Sequence, residues 1–156
     1  MEATAKPWHA AYPAPRAVDL RKLTPAQVLD LLRSADAGSS GQAPTLVLVD
    51  LRRNDHEGGT IRGSINLPAQ SLYPTIPTLY SIFRAAGIRT VIWYCGSSQG
   101  RGSRAAGWFA DYIAERQGAG MESAILAGGI KAWVAAGGEH LDYMHEYDAT
   151  KWDQQV

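Results

Sequence analysis

Cys95 is the only cysteine in 156 residues, and it opens the segment Cys95-Gly96-Ser97-Ser98-Gln99-Gly100-Arg101-Gly102-Ser103-Arg104. A thiol and a guanidinium spaced C-x5-R, between a strand and a helix, suit nucleophilic attack on a bound tetrahedral oxyanion. A strand-loop-helix turn aims successive backbone N–H groups into a concave nest, and the helix N-terminus adds positive potential. Gly96, Gly100 and Gly102 are expected to supply the positive φ values and close approach of such a nest. Negative charge on the sulfur is favoured in that field. Arg101 offers a planar fork for two oxygens of the anion. Ser97 and Ser98 can donate to the thiolate or to the anion. Attack on phosphorus or arsenic needs this combination of nucleophile and oxyanion cradle. The inert reading makes Cys95 an apolar filler and Arg101 a surface cation. The buried strand before the loop, the helix after it and the three glycines weigh against that.

The elements that must position the loop are legible from apolar patterning. Thr90-Val91-Ile92-Trp93-Tyr94 and Thr45-Leu46-Val47-Leu48-Val49-Asp50 are short, nearly continuous apolar runs, as in strands buried on both faces of a parallel sheet. Ser123 to Leu126 is a third core strand, and Ser64 to Leu67 a short one. Thr24-Pro25-Ala26-Gln27 is a capping box with Pro at the first helical position, opening a helix expected to end near Ser34. Residues 35–44 read as a loop. Further helices are expected over Leu79 to Ala86, Ser103 to Gln117 and Ile130 to Ala135. Strands alternating with helices imply an α/β domain with a central, mostly parallel sheet and helices on both faces. The ligand crevice of such a sheet lies at the strands' carboxyl ends, here after Asp50, Tyr94 and Leu126.

Three segments resemble the rhodanese-fold superfamily. Asp50-Leu51-Arg52 followed by Glu57-Gly58-Gly59-Thr60-Ile61-Arg62-Gly63-Ser64-Ile65-Asn66-Leu67 is similar to that family's D-x-R and E-G-G-x-I-x-G-x-x-N-L. Cys95 to Arg104 is similar to C-x5-R-G-x-R. Leu126-Ala127-Gly128-Gly129-Ile130 with Trp133 is similar to the closing motif L-x-G-G-x-x-x-W. Within the superfamily the chain resembles the cell-cycle dual-specificity phosphatase catalytic domains and the related fungal arsenate reductases, because sulfurtransferases of this fold typically carry a loop one residue shorter. The resemblance implies a rhodanese-like fold and a cysteine-based phosphatase or arsenate reductase. Cys95 is then the nucleophile, Arg101 the clamp, and the amides of Gly96, Ser97, Ser98, Gln99 and Gly100 the cradle, with Asp50 and Arg52 structural. Tyr94 stands where the phosphatases usually have His, and Ser103 where they commonly have Pro. With a single cysteine, an oxidised or arsenylated Cys95 needs an outside thiol such as glutathione or glutaredoxin. Two other activities remain open: sulfur transfer through a Cys95 persulfide, and a non-catalytic rhodanese module that only binds.

Secondary candidates are weaker. Asp55, Glu57 and Asp111 are available as leaving-group acids, and none is assigned. His56 reads as a surface histidine, and Arg104 either reaches the pocket mouth or is solvated. His140 and His145, with Asp142 and Glu146 nearby, do not share one helical face, and no metal is expected there. Trp93, Trp108 and Trp133 read as packing residues, and Tyr143, Tyr147 and Trp152 as anchors for the tail.

Length and composition bound the rest. At about 150 residues per domain the chain is one domain: an N-terminal arm over 1–18, a catalytic domain over 19–138, and a C-terminal tail over 139–156 packed on it. The Pro- and Ala-rich arm is expected on the surface or disordered. Hydrophobic residues at 46% and charged residues at 19% are ordinary for a globular protein. Fifteen Lys+Arg against fifteen Asp+Glu give zero net charge, which disfavours general binding to nucleic acid or anionic membrane. No apolar run approaches the ~18 residues of a membrane span, and the N-terminus has no apolar core of a secretory signal. One cysteine excludes an intrachain disulfide, so a reducing compartment, cytoplasmic or nuclear, is expected. The expected partners are a phosphorylated protein or a small oxyanion such as phosphate or arsenate, with glutaredoxin in the reductase case and no bound cofactor.

Overall fold

The computed structural model describes residues 6–38 and 44–153. Its strands are β1 (Arg21–Leu23), β2 (Leu46–Asp50), β3 (Thr60–Ile61), β4 (Ser64–Asn66), β5 (Thr90–Tyr94), β6 (Glu122–Leu126) and β7 (Met144–His145). Its α-helices are α1 (Pro25–Gly38), α2 (Ile76–Ala85), α3 (Arg101–Glu115), α4 (Gly129–Ala136), α5 (Glu139–Asp142) and α6 (Ala149–Asp153). Five strands form one sheet in the order β1-β6-β5-β2-β4. Every pairing in it is parallel. β3 and β7 make a separate antiparallel pair.

Side-chain alternation along the central strands divides the core. Val49, Val91, Trp93 and Cys95 face α2 and α3, with Phe83, Trp108 and Phe109. Leu48, Ile92, Tyr94 and Leu126 face α1 and α4, with Val28, Ile130 and Trp133. Both faces are thus covered, which is why β2 and β5 read as continuous apolar runs. The alternation also sends the side chains of Tyr94 and Cys95 to opposite faces.

The differences from the sequence reading have local causes. α1 continues past Ser34 to Gly38, because Ala35, Asp36 and Ala37 tolerate helix as well as loop; residues 39–43 of the expected loop lie outside the described residues. α2 begins three residues before Leu79, at Ile76, where Pro77 suits a first turn that needs no N–H. α3 begins at Arg101, so this arginine is the first residue of the helix rather than the end of the loop. β1, β3 and β7 are too short to show a period, and their pairing is tertiary. The arm over 6–17 lies along α3: Trp108 Nε1 donates to Pro13 O at 2.8 Å, and Asp111 accepts the amides of Arg16 and Ala17 at 2.7 and 2.9 Å. Its first five residues lie outside the described ones.

Behind β2 stands a buried ion pair. Asp50 is fully buried and Arg52 is 1% exposed. Arg52 Nη2 donates to Asp50 Oδ2 at 2.8 Å and Nε to Oδ1 at 3.0 Å. The remaining guanidinium donors reach the carbonyls of Asp55, Glu57 and Gly59 at 3.4, 3.0 and 2.8 Å. Thr60 Oγ1 donates to Asp50 Oδ2 at 2.9 Å, and Asn66 Nδ2 to the carbonyls of Asp50 and Arg52 at 2.9 and 2.8 Å. Removing one member of a buried pair strands the other's charge. Arg52→Ala is therefore expected to lower stability by about 3–5 kcal/mol in urea unfolding; a loss near zero would show that water satisfies Asp50.

Candidate functional site

The carboxyl ends of β2, β5 and β6 meet where Leu51 N donates to Tyr94 O at 2.9 Å and Ile130 N to Cys95 O at 3.0 Å. Lys131 N donates to Gly96 O at 3.1 Å, so the first turn of α4 caps the start of the cysteine loop. Gly129 makes this approach possible. Its φ is +63°, and a Cβ there would lie 2.5 Å from the carbonyl oxygens of both Cys95 and Gly96. Gly129 is thus a steric requirement of the loop.

Cys95 is 3% exposed, on the α3 face. Its sulfur accepts the amides of Ser98 at 3.1 Å and Gly102 at 3.4 Å. The left-handed residue of the loop is Ser98, with φ +63°, and Gly96, Gly100 and Gly102 all lack positive φ. This corrects the expectation for the glycines. Gly102 matters for space instead: a Cβ there would sit 3.0 Å from the Ser98 Cβ and 3.1 Å from its Oγ. The serine hydroxyls also serve as acceptors. Ser98 Oγ accepts the Cys95 amide at 3.4 Å and Ser97 Oγ the Gln99 amide at 3.4 Å, so both brace the backbone. Among the described residues, no chain acceptor takes the amides of Gly96, Ser97 and Gly100.

Arg101 holds two oxygens, and they belong to Asp55. Nη1 donates to Oδ1 at 2.9 Å and Nη2 to Oδ2 at 2.6 Å. The hydrogen-bonded guanidinium pulls the Asp55 carboxyl down to about 2. Asp55 in turn holds Arg101 above the usual arginine range, with a smaller contribution from the nearby Cys95 sulfur. Asp55 lines a cleft of about 360 Å³ together with Arg52, Gly96, Ile130, Lys131 and Trp152. A larger cleft of about 510 Å³ lies between the arm and α3, lined by Pro13, Tyr73, Trp108 and Tyr112 among others.

The remaining sequence candidates disperse. Gln99, Gly100, Ser103 and Arg104 line a third cleft with Val18, Leu20 and Lys22. Asp111 is engaged by the arm, away from the sulfur. His56 Nε2 lies 3.5 Å from Asp50 Oδ2. The Tyr94 hydroxyl meets Thr60 Oγ1 at 2.9 Å and Ser64 Oγ at 2.7 Å. Burial, then the Asp50 charge, push Tyr94 far above the usual tyrosine range. The residue before Cys95 therefore serves the opposite face of the sheet. His140 stacks edge-on against Trp133, whose Nε1 donates to His140 O at 2.7 Å. Trp152 Nε1 donates to Gly58 O at 2.9 Å, which seats the tail at the cleft. Lys131 and Trp152 are absent from the sequence reading of the site. The position of Lys131 after the β6 turn could have flagged it; nothing local marks Trp152.

The rhodanese-like domain model matches residues 24–136. The chain belongs to the rhodanese-like domain family. Among solved structures, this rhodanese-like chain is similar to an As–Sb reductase from Leishmania major, with 22% identity, TM-score 0.70, and coverage of 81% of this chain and 85% of that one. It is also similar to Saccharomyces cerevisiae Ygr203w, a homologue of single-domain rhodanese and the Cdc25 phosphatase catalytic domain, with 22% identity, TM-score 0.66, and coverage of 85% and 91%. A second structure of Ygr203w, as a yeast protein tyrosine phosphatase of the rhodanese family, gives 23% identity, TM-score 0.68, and coverage of 87% and 99%. At these identities the likeness is one of fold. No curated protein matches the chain. Among the described residues, no helix is long and apolar enough to cross a membrane.

Gly129→Ala combines a strained φ with a clash against two carbonyls, so a loss of at least about 2 kcal/mol in urea unfolding is expected; unchanged stability would show that the loop can retreat. The Asp55 contact has a defined pH window. Its depressed pKa means that the contact is fully present above the ordinary 3.8 and is lost as pH falls through about 2. Carboxyl-carbon NMR should follow Asp55 titrating near 2, and near its ordinary value in Arg101→Gln. Equal midpoints would contradict the pairing.

Proposed function

We propose that the chain is a cysteine-dependent phosphatase or arsenate reductase. The observation that carries this reading is the pairing of a sulfur under two amide donors with an arginine fork presented to two oxygens beside it. In this reading Cys95 is the nucleophile and Arg101 the clamp. The amides of Gly96, Ser97 and Gly100 take the oxygens that the arginine does not. The amides of Ser98 and Gln99, already occupied by Cys95 and Ser97, hold the loop in shape.

With a phosphate monoester, the Cys95 thiolate attacks phosphorus and the P–O bond to the leaving group breaks. The leaving oxygen takes a proton from solvent water, and water then cleaves the S–P bond to release phosphate and the thiolate. Charge that builds on the equatorial oxygens is met by Arg101 and the loop amides. With arsenate, the thiolate displaces hydroxide, which leaves as water, and forms an S–As bond. A glutathione thiol then attacks the Cys95 sulfur. The S–As electron pair stays on arsenic, releasing arsenite and a mixed disulfide, which a second thiol or glutaredoxin reduces. The outside thiol is required because the chain has no other cysteine. Tetrahedral phosphate and arsenate fit the same cradle, and both chemistries use the same residues.

The deciding experiment assays an aryl phosphate, arsenate with glutathione and glutaredoxin, and thiosulfate with cyanide side by side. Cys95→Ser should abolish turnover, and Arg101→Lys should reduce it by about 10²–10³, the scale of losing one oxyanion donor. Faster turnover of thiosulfate than of both oxyanions would replace this reading with sulfur transfer. Turnover surviving in Cys95→Ser would remove the nucleophile.

A further inference from the structure

A carboxylate already occupies the fork that an oxyanion substrate needs. Asp55 presents two oxygens to Arg101 in the bidentate geometry that a phosphate or arsenate would adopt. The chain places it there through a buried anchor: Arg52 binds the carbonyl of Asp55 itself, together with those of Glu57 and Gly59. Asp55 Oδ1 also accepts the Arg53 amide at 3.2 Å, which sets the side-chain direction. The carboxylate is nevertheless half in solvent, at 50% side-chain exposure, so it can leave without opening the core. It is the one acidic side chain among the residues lining the cleft, beside Arg52 and Lys131.

We infer that Asp55 is an affinity-setting residue, the resident guest of the Arg101 seat, and that a tetrahedral oxyanion binds by exchanging with it. The inference rests on the oxyanion reading above and deepens it. Asp55 keeps the guanidinium oriented and its charge neutralised while the site is free. An incoming phosphate or arsenate must offer the fork two oxygens and gain further from the amides of Gly96, Ser97 and Gly100, which a carboxylate on a fixed turn does not engage. A ligand with only one oxygen for Arg101 gives up one of the two hydrogen bonds in the exchange. The contact with Arg101 also keeps Asp55 ionised, so while seated it has no proton to give a leaving group.

The test is a titration with inorganic phosphate, followed by the amide NMR shifts of Gly96 and Gly100 and the Arg101 side chain, in the wild type and in Asp55→Asn. Asparagine keeps the acceptor for the Arg53 amide but loses the charge; Asp55→Ser removes the second oxygen as well. Circular dichroism checks folding of both variants. The phosphate Kd is expected to fall by about five- to tenfold in both variants, the range for losing a half-exposed bidentate ion pair. For an aryl phosphate, KM should fall with kcat retained, a split that general destabilisation does not produce. Equal phosphate affinities in wild type and variants would overturn the exchange and leave the Arg101 seat intact. Absence of phosphate-induced shifts in every protein would overturn the oxyanion reading, and the exchange with it.

Discussion

Much of this structure depends on Arg52 being buried with Asp50 at the end of β2. A guanidinium taken out of water must fill its donors, and here the carboxylate takes one side while three carbonyls of the following turn take the other. That demand folds residues 52–60 back across the end of the sheet. The turn then carries Asp55 to Arg101 and Gly58 to Trp152. One buried charge thus sets the position of a turn, of the carboxylate on the turn, and of the tail that packs over it. Asp50 also links to Thr60, and Thr60 to the Tyr94 hydroxyl, so the network extends to the α1/α4 face of β5.

The cysteine loop is a second constrained element, held from two sides. α3 supplies the Gly102 amide beneath the sulfur, and the first turn of α4 supplies amides to the carbonyls of Cys95 and Gly96. Helix N-termini carry unsatisfied N–H groups, so two of them converging on one loop answer its polar groups and raise its potential. The loop's own strain is concentrated at Ser98, whose left-handed backbone turns its amide onto the sulfur and its hydroxyl onto the Cys95 amide. A non-glycine residue at positive φ is a position where surrounding contacts over-determine the backbone. Here the contacts are visible, and they end on the nucleophile candidate.

The position before the cysteine shows how neighbours in sequence part in space. Strand alternation puts the Tyr94 ring among the α1 and α4 packing, where its hydroxyl meets Thr60 and Ser64. Cys95 points to the α2 and α3 side. Tyr94 thereby ties β5 to the β3–β4 turn on the face away from the sulfur.

The central strands, most of the helices and the parallel sheet were legible from the amino-acid sequence, because strands buried on both faces must be apolar throughout and helices must show a periodic face. The C-x5-R loop was legible for the same local reason: its cysteine and arginine lie within one turn of chain. The conformation inside it was not. Glycines mark where positive φ is cheap, but Ser98 took it because its side chain and amide both found partners. Arg52, Asp55, Gly96, Ile130, Lys131 and Trp152 line one cleft only after the sheet order β6-β5-β2 is set. The meeting of Asp55 with Arg101 belongs to that class, since complementary charges far apart in a chain carry no mark of each other until packing removes the other partners each could have had.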